Sequence, residues 1–261
     1  MKNQLKKLTI FLSILFTILV FQNSVNGQIV NIEDRRGSLA DTTGWFGFVG
    51  LGGNFVKNTK SILSISGDIR TEYHRQKARI LFLSNYNLIR VNQDRFIDNG
   101  FQHFRYNDIF RGKTEFEIFA QAQYNNRVRI TFRGLLGGGL RFPLLSVDQK
   151  KIFLGIAYMY EYDEIKIIPE TISYFRDHRM SSYLSVFLKW NDSFSISNTT
   201  YYQPVLNNFS DVRLSSQTNL KFSISKKLSF ITTFNITNDT RVPEGVPASY
   251  YSWRNGIRWD F

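Results

Sequence analysis

From Gly44 onward the chain alternates apolar and polar side chains with period two. In residues 212–224, Val212, Leu214, Ser216, Thr218, Leu220, Phe222 and Ile224 alternate with Arg213, Ser215, Gln217, Asn219, Lys221 and Ser223, so every charge falls on one side. Successive side chains of a strand point to opposite faces, and this segment therefore offers one apolar and one polar surface. Tyr251, Trp253, Ile257, Trp259 and Phe261 repeat the pattern against Ser252, Arg254, Gly256, Arg258 and Asp260. So do Leu63, Ile65, Gly67, Ile69, Thr71 and Tyr73 against Ser64, Ser66, Asp68, Arg70, Glu72 and His74.

Turn signals between such runs predict about twelve strands, near 44–56, 61–74, 78–91, 99–111, 114–125, 129–143, 150–163, 179–190, 193–205, 211–224, 227–238 and 249–261. The fourth alternates least well. Connections near 74–77, 111–113, 191–193 and 225–227 are expected to be tight, and those near 92–98, 164–178 and 239–248 longer. Short turns at one end and longer loops at the other are the asymmetry of a bacterial transmembrane barrel. The long segment 164–178, with Ile167, Ile168, Tyr174 and Phe175, either folds inward as a plug, meets a partner, or extends its flanking strands.

Strand length separates two all-β solutions. Strands of a soluble sandwich are commonly about 5–6 residues long, whereas a tilted membrane strand needs about 9–11, which these runs reach. Unpaired backbone groups in lipid cost several kcal/mol, so a membrane sheet must close on itself. The expected fold class is therefore an all-β, transmembrane antiparallel β-barrel of about twelve strands over residues 44–261, with Gly44–Val56 and Ser249–Phe261 meeting at the seam. A Lys or Arg facing mid-bilayer would cost about 2–4 kcal/mol, which accounts for an apolar register free of charge. Trp45, Tyr73, Tyr86, Tyr124, Tyr158, Tyr162, Trp190, Tyr202, Tyr251, Trp253 and Trp259 are placed for two interfacial aromatic belts. Gly47, Gly50, Gly52, Gly53, Gly134, Gly137, Gly138 and Gly139 lie inside predicted strands, where glycine marks a bend, a bulge or close backbone approach. Neither cluster has the spacing of a phosphate-binding loop.

Composition narrows the setting. The chain has 261 residues, a formal net charge of +12, no Cys and 16% aromatic residues. The missing cysteines exclude a disulfide scaffold, a thiolate metal site, a cysteine nucleophile and a lipidated Cys. Residues 1–27 run from Lys2, Lys6 and Lys7 through the apolar stretch Leu8 to Phe21 and end in small and polar residues. That is the order of a secretory signal peptide, with cleavage expected near Gly27. Residues 28–43 are expected to form a short periplasmic lead-in carrying Asp34, Arg35 and Arg36. Export of a cysteine-free chain fits a Gram-negative envelope protein.

One stretch carries a family likeness. Glu115-Phe116-Glu117-Ile118-Phe119-Ala120-Gln121-Ala122-Gln123-Tyr124, the Arg133-to-Arg141 strand with its glycines, and Gly155-Ile156-Ala157-Tyr158-Met159-Tyr160-Glu161 together resemble the salt-induced outer-membrane protein family, a domain-of-unknown-function group. The terminal Tyr251-x-Trp253-x-x-x-Ile257-x-Trp259-x-Phe261 resembles the C-terminal assembly signal of outer-membrane proteins. The resemblance implies an outer-membrane barrel, inserted by the assembly machinery through its last strand, with no established catalytic activity and no active-site residues.

In that register Asp68, Arg70, Glu72, Glu115, Glu117, Arg133, Arg141, Glu161, Asp163, Lys189, Arg213, Lys221, Arg254 and Arg258 point into the lumen. Barrels of about eight strands are filled by side chains and those of sixteen to eighteen leave a water channel, so about twelve is intermediate. Such a lumen is either closed by ion pairs or a narrow pore that selects small solutes. Arg75, Lys77, Arg111, Lys113, Lys150, Lys151, Lys226 and Lys227 gather at the short turns, where they can meet lipid headgroups or anionic envelope polymer. Nucleic acid is not an expected partner of an exported chain.

The competing function class is an outer-membrane enzyme acting on lipid acyl chains. The histidines are His74, His103 and His178, and Asp177-His178 lies near Ser181 and Ser182. Adjacency in sequence is not triad geometry, however, which requires facing side chains within hydrogen-bond reach. His178 is expected in a loop and His74 in a turn. No cofactor is implied, and no His pair has a metal-ligand spacing.

Overall fold

A computed structural model describes residues 43–259 apart from Gln76, Asp148, Pro169, Glu170, Lys226 and Lys227. The leader 1–27, nearly all of the lead-in, and Phe261 lie outside the described residues. Twelve strands follow one another: β1 Gly44–Lys57, β2 Ser61–Arg75, β3 Ala78–Val91, β4 Asp94–Arg111, β5 Thr114–Asn125, β6 Ile130–Val147, β7 Lys150–Ile168, β8 Thr171–Asn191, β9 Phe194–Val205, β10 Asn208–Ser223, β11 Leu228–Asp239 and β12 Ser249–Trp259. They form one sheet in sequence order, each strand antiparallel to the next. The fold is an all-β antiparallel barrel. Trp45 lies opposite Tyr73, and Ser216 opposite Ile236. The described ladders leave β1 and β12 as terminal strands, each paired on one side, so the expected seam between them is not among the described pairs.

The distribution of burial is the reverse of a soluble sandwich. Glu117, Glu161 and Arg179 are 0% exposed, while Leu51 is 88% and Ile257 73% exposed. Among the described residues the only helix is one three-residue turn, Asn126–Val128, and there is no second sheet. A single sheet buries one face only by curling onto it. Contacts across the concave side measure the curl. Tyr183 on β8 donates its hydroxyl to Glu117 Oε2 on β5 at 3.1 Å, and Arg213 Nη1 on β10 reaches Glu161 Oε2 on β7 at 2.7 Å. In a flat sheet strands three apart are about 14 Å from one another. No described helix is long and apolar enough to cross a membrane, a test that does not bear on strands.

Glycine permits the curl where large inner side chains lie over the next strand. A Cβ at Gly155 would fall onto the Tyr183 ring opposite it, and one at Gly139 would meet the Ile156 carbonyl. The inner face also holds apolar clusters, Leu81 with Leu83 and Phe101, and Phe119 with Ala157 and Met159. Ile97 and Phe101 lie on the inner face of β4 while Gln102 faces out, which is why that strand alternates poorly in sequence.

Several expectations are corrected. Segment 92–98 is not a long loop, since β4 begins at Asp94. Segment 164–178 is neither plug nor loop: β7 runs to Ile168 and β8 starts at Thr171, so its residues prolong both strands, to 19 and 21 residues. The expected asymmetry therefore appears as an overhanging hairpin, and only the β11–β12 connection, 240–248, is long. His74 and His178 lie within β2 and β8 rather than in a turn and a loop.

Candidate functional site

The inner face of β6, β7, β8, β10 and β11 carries a continuous lattice of ion pairs. Arg133 holds Asp163 with two bonds, Nε to Oδ1 at 2.6 Å and Nη2 to Oδ2 at 2.8 Å. Arg179 Nε donates to Glu161 Oε1 at 2.9 Å and its Nη2 to Asp211 Oδ1 at 3.0 Å, while Nη1 reaches the Gln203 carbonyl. Arg213 bridges Glu161 on one side and Asp239 on the other, the latter at 2.8 Å. Glu161 thus meets three guanidinium groups, those of Arg133, Arg179 and Arg213. Charges removed from water need such partners, because losing one member leaves an uncompensated ion.

A second cluster lies lower on the wall, on β4, β5, β6 and β8. Arg105 Nη1 donates to Glu117 Oε2 at 3.1 Å, Asn107 and Tyr183 donate to the same oxygen, and Arg141 Nη1 donates to Glu115 Oε1 at 3.0 Å. The Arg141 guanidinium lies 3.5 Å over the Phe153 ring. On β2, Glu72 joins Arg70 and His74, and Asp68 accepts from Asn85.

The structure thus brings Glu115, Glu117 and Arg141 together, separately Arg133, Glu161, Asp163 and Arg213, and separately again Arg70 and Glu72. Lys221 and Arg254 lie on the inner register of β10 and β12 in less buried positions, and Arg254 is exposed. Lys189 pairs with Asp192 at the β8–β9 turn, 2.6 Å away, and this pairing holds the Asp192 carboxyl below the usual carboxylate range. Arg258 lies in β12, with its side chain outside the described residues. Arg105, Asp177, Arg179, Asp211, Asp239 and Arg241 belong to these clusters although the alternation pattern did not single them out. For Asp177 and Arg179 the signal was present, since both share the odd register of Ser181 and Tyr183, Arg179 at the predicted strand start and Asp177 two residues before it.

The long β11–β12 connection crosses the opening at the end of the barrel away from the short β2–β3 and β8–β9 turns. Its Arg241 bonds Asp177 on β8 at 2.5 Å and also Asp211 on β10, with its guanidinium 4.6 Å over the Phe175 ring. Partial burial works to lower the Arg241 pKa, but hydrogen bonds to Asp177 and Asp211 outweigh it and raise the group above its ordinary value. Gly245 faces the Arg129 guanidinium beyond β5, so the loop spans toward the opposite wall.

On the outer face Tyr251, Trp253 and Ile257 are exposed, Trp259 lies in β12 with its side chain outside the described residues, and Phe261 is beyond them. Asn198 donates to Ser216 and Thr218, and Thr200 donates to Asn198, so the polar groups in this otherwise apolar register satisfy one another. His178 faces outward and Asp177 inward, with Ser181 buried inside, so the proposed hydrolytic residues are split between two sides of the wall. His103 is buried beside Gln121 at 3.0 Å. Among the described residues no group of three His, Asp or Glu could hold a metal ion.

A family model described as "Protein of unknown function, DUF481" matches residues 49–250. No curated protein matches. Among solved structures, the NanC porin in a rhombohedral crystal form is similar at 12% identity and a TM-score of 0.48, over 82% of this chain and 99% of that one.

Proposed function

Because the chain belongs to the DUF481 family, whose description assigns no function, we propose from its own geometry that it is a bacterial outer-membrane barrel acting without catalysis as a narrow pore with a charged lumen. The observation that carries this reading is the inversion of burial: guanidinium and carboxylate groups fill the concave side, and Leu, Ile, Phe and Trp cover the convex side. That is the surface a bilayer solvates and water does not. On β8 the outward positions Met180, Ser182, Leu184, Val186 and Leu188 are free of charge. Trp190 follows on the short-turn side, and Tyr174, Tyr162 and Tyr158 lie toward the opposite rim, where aromatic belts belong.

The lumen is uneven. Over β3 to β8 bulky side chains and paired ions fill the interior, whereas β9 to β12 contribute Ser197, Gln217, Asn219, Thr233 and Asn235. Small hydroxyl and amide groups of this kind suit an eccentric path for water along that wall. Lys221 and Arg254 place positive charge on it, which favours small anions. The resemblance to salt-induced outer-membrane proteins, on the Arg133–Arg141 and Gly155–Glu161 strands, agrees with this setting. Export by residues 1–27 and insertion through the last strand complete the reading. The enzyme alternative finds no support in the positions of the three histidines.

Planar-bilayer recording on refolded protein tests the function. Discrete conductance steps, with a reversal potential in a salt gradient on the anion side, are expected. A bilayer that stays silent after verified insertion would reject the pore.

A further inference from the structure

The outer face of β7 and β8 has a feature that neither the pore nor a generic lipid coat requires. Gly138 leaves the wall bare, and a groove of about 350 Å³ lies there, walled by Ile156, Tyr158, Met180 and Leu206. Toward the overhanging hairpin the groove leads to His178, whose Nδ1 is 2.5 Å from the Tyr158 hydroxyl and whose ring lies 5.4 Å from that of Tyr160. Two residues further, Arg176 is exposed on the same face, 5.9 Å from the Tyr162 ring centroid. The last β8–β9 pair is Arg179 with Val205, the Leu206 N–H donates to the His178 carbonyl just beyond it, and no described β9 pair reaches Arg176. The Arg176 and His178 side chains are both exposed there.

Their height matters. Trp190 lies twelve residues from His178 along β8, about 40 Å of strand, or about 30 Å along the axis at the usual tilt. That is about the thickness of a hydrocarbon core. If Trp190 marks one interface, His178 and Arg176 lie at the other, where lipid phosphates are found.

We propose that this face is a binding site for one membrane lipid with an anionic phosphate headgroup, Arg176 and His178 taking the phosphate and the groove between Gly138, Ile156, Tyr158 and Met180 taking an acyl chain. A planar guanidinium suits a phosphate, and an imidazole already oriented by a tyrosine hydroxyl supplies a second donor. The acyl chain runs past Gly138 along Ile156, Tyr158 and Met180. This inference rests on the membrane reading given above.

The full chain is refolded into nanodiscs of equal phosphatidylglycerol and phosphatidylcholine, and lipid retained after extraction is counted by native mass spectrometry. At least a fivefold preference for phosphatidylglycerol is expected, falling to near parity in Arg176→Gln/His178→Gln. Met180→Trp, which fills the groove and leaves Arg176 and His178 in place, should lower retention of both lipids. Equal retention by the parent chain, or a preference that survives the double substitution, overturns the site. Loss of the preference on adding soluble glycerol phosphate would show headgroup binding without the chain, and also overturns it. Heat-modifiable migration in SDS gels, read on each variant, reports separately whether the barrel itself has formed.

Discussion

The hydroxyl of Tyr183 on β8 and the carboxylate of Glu117 on β5 are joined by a 3.1 Å hydrogen bond that spans three strands of the same sheet. Tyr183 leans there because Gly155, its partner across the β7–β8 ladder, has no Cβ to hold it off. A glycine on β7 thus lets a ring on β8 reach a carboxylate on β5, and Glu117, with no exposed surface, gains a donor. Tyr183→Phe removes that donor and keeps the ring. A loss of about 1 kcal/mol is expected from denaturant unfolding in micelles.

Gly155→Val inserts a branched side chain where the ring lies. The ring must leave the inner face or the ladder must open, and the fraction of heat-modifiable, folded protein should fall severalfold. Gly53→Ala, at a position where a Cβ meets nothing within 4 Å, is the matched control and should fold as the parent does.

Glu161 is shared by three guanidinium groups at once. Glu161→Gln takes that shared anion from Arg133, Arg179 and Arg213, which keep Asp163, Asp211 and Asp239 respectively, and a loss of about 3–5 kcal/mol is expected. Adding Arg213→Met to Glu161→Gln should cost less than the two single losses summed, since the Arg213–Glu161 pair is broken only once. A double-mutant cycle on unfolding free energies checks both statements, and simple additivity would show that these groups do not act as one lattice.

Arg241 clamps the β11–β12 loop over one mouth through Asp177 and Asp211. Arg241→Ala should free the loop, raise single-channel conductance and expose segment 240–248 to protease, with little change in unfolding midpoint. Because its partners push the guanidinium above its ordinary range, raising the pH to about 10 should leave the closed loop unchanged. Loop release at that pH would contradict the clamp.

Strand positions were legible where lipid-facing and inner residues differ in polarity. Residues 212–223 alternate cleanly, and β10 is found there, with its start at Asn208 extended by a few residues. The pattern failed at 171–178, where Tyr174, Arg176 and His178 face outward beyond the hydrocarbon level and both faces of the strand meet polar surroundings. Hydropathy then stops marking strand, and a hairpin reads as a loop. The inner charges were legible by parity, as for Glu161 and Arg213, but their partners were not. Arg213 to Glu161 is a contact between strands that are not neighbours, set by barrel curvature that no local pattern encodes.

The most direct test of the inverted barrel is a cysteine scan along β10 in lipid vesicles, using the natural absence of cysteine. Single cysteines at Leu214, Leu220, Ser215 and Asn219 are labelled with an environment-sensitive fluorophore and quenched by brominated lipid or by a water-soluble quencher. The inverted barrel predicts lipid quenching at Leu214 and Leu220 and protection from it at Ser215 and Asn219. Protection of Leu214 and Leu220 from both quenchers would mean that the apolar face is buried against protein, and would contradict it.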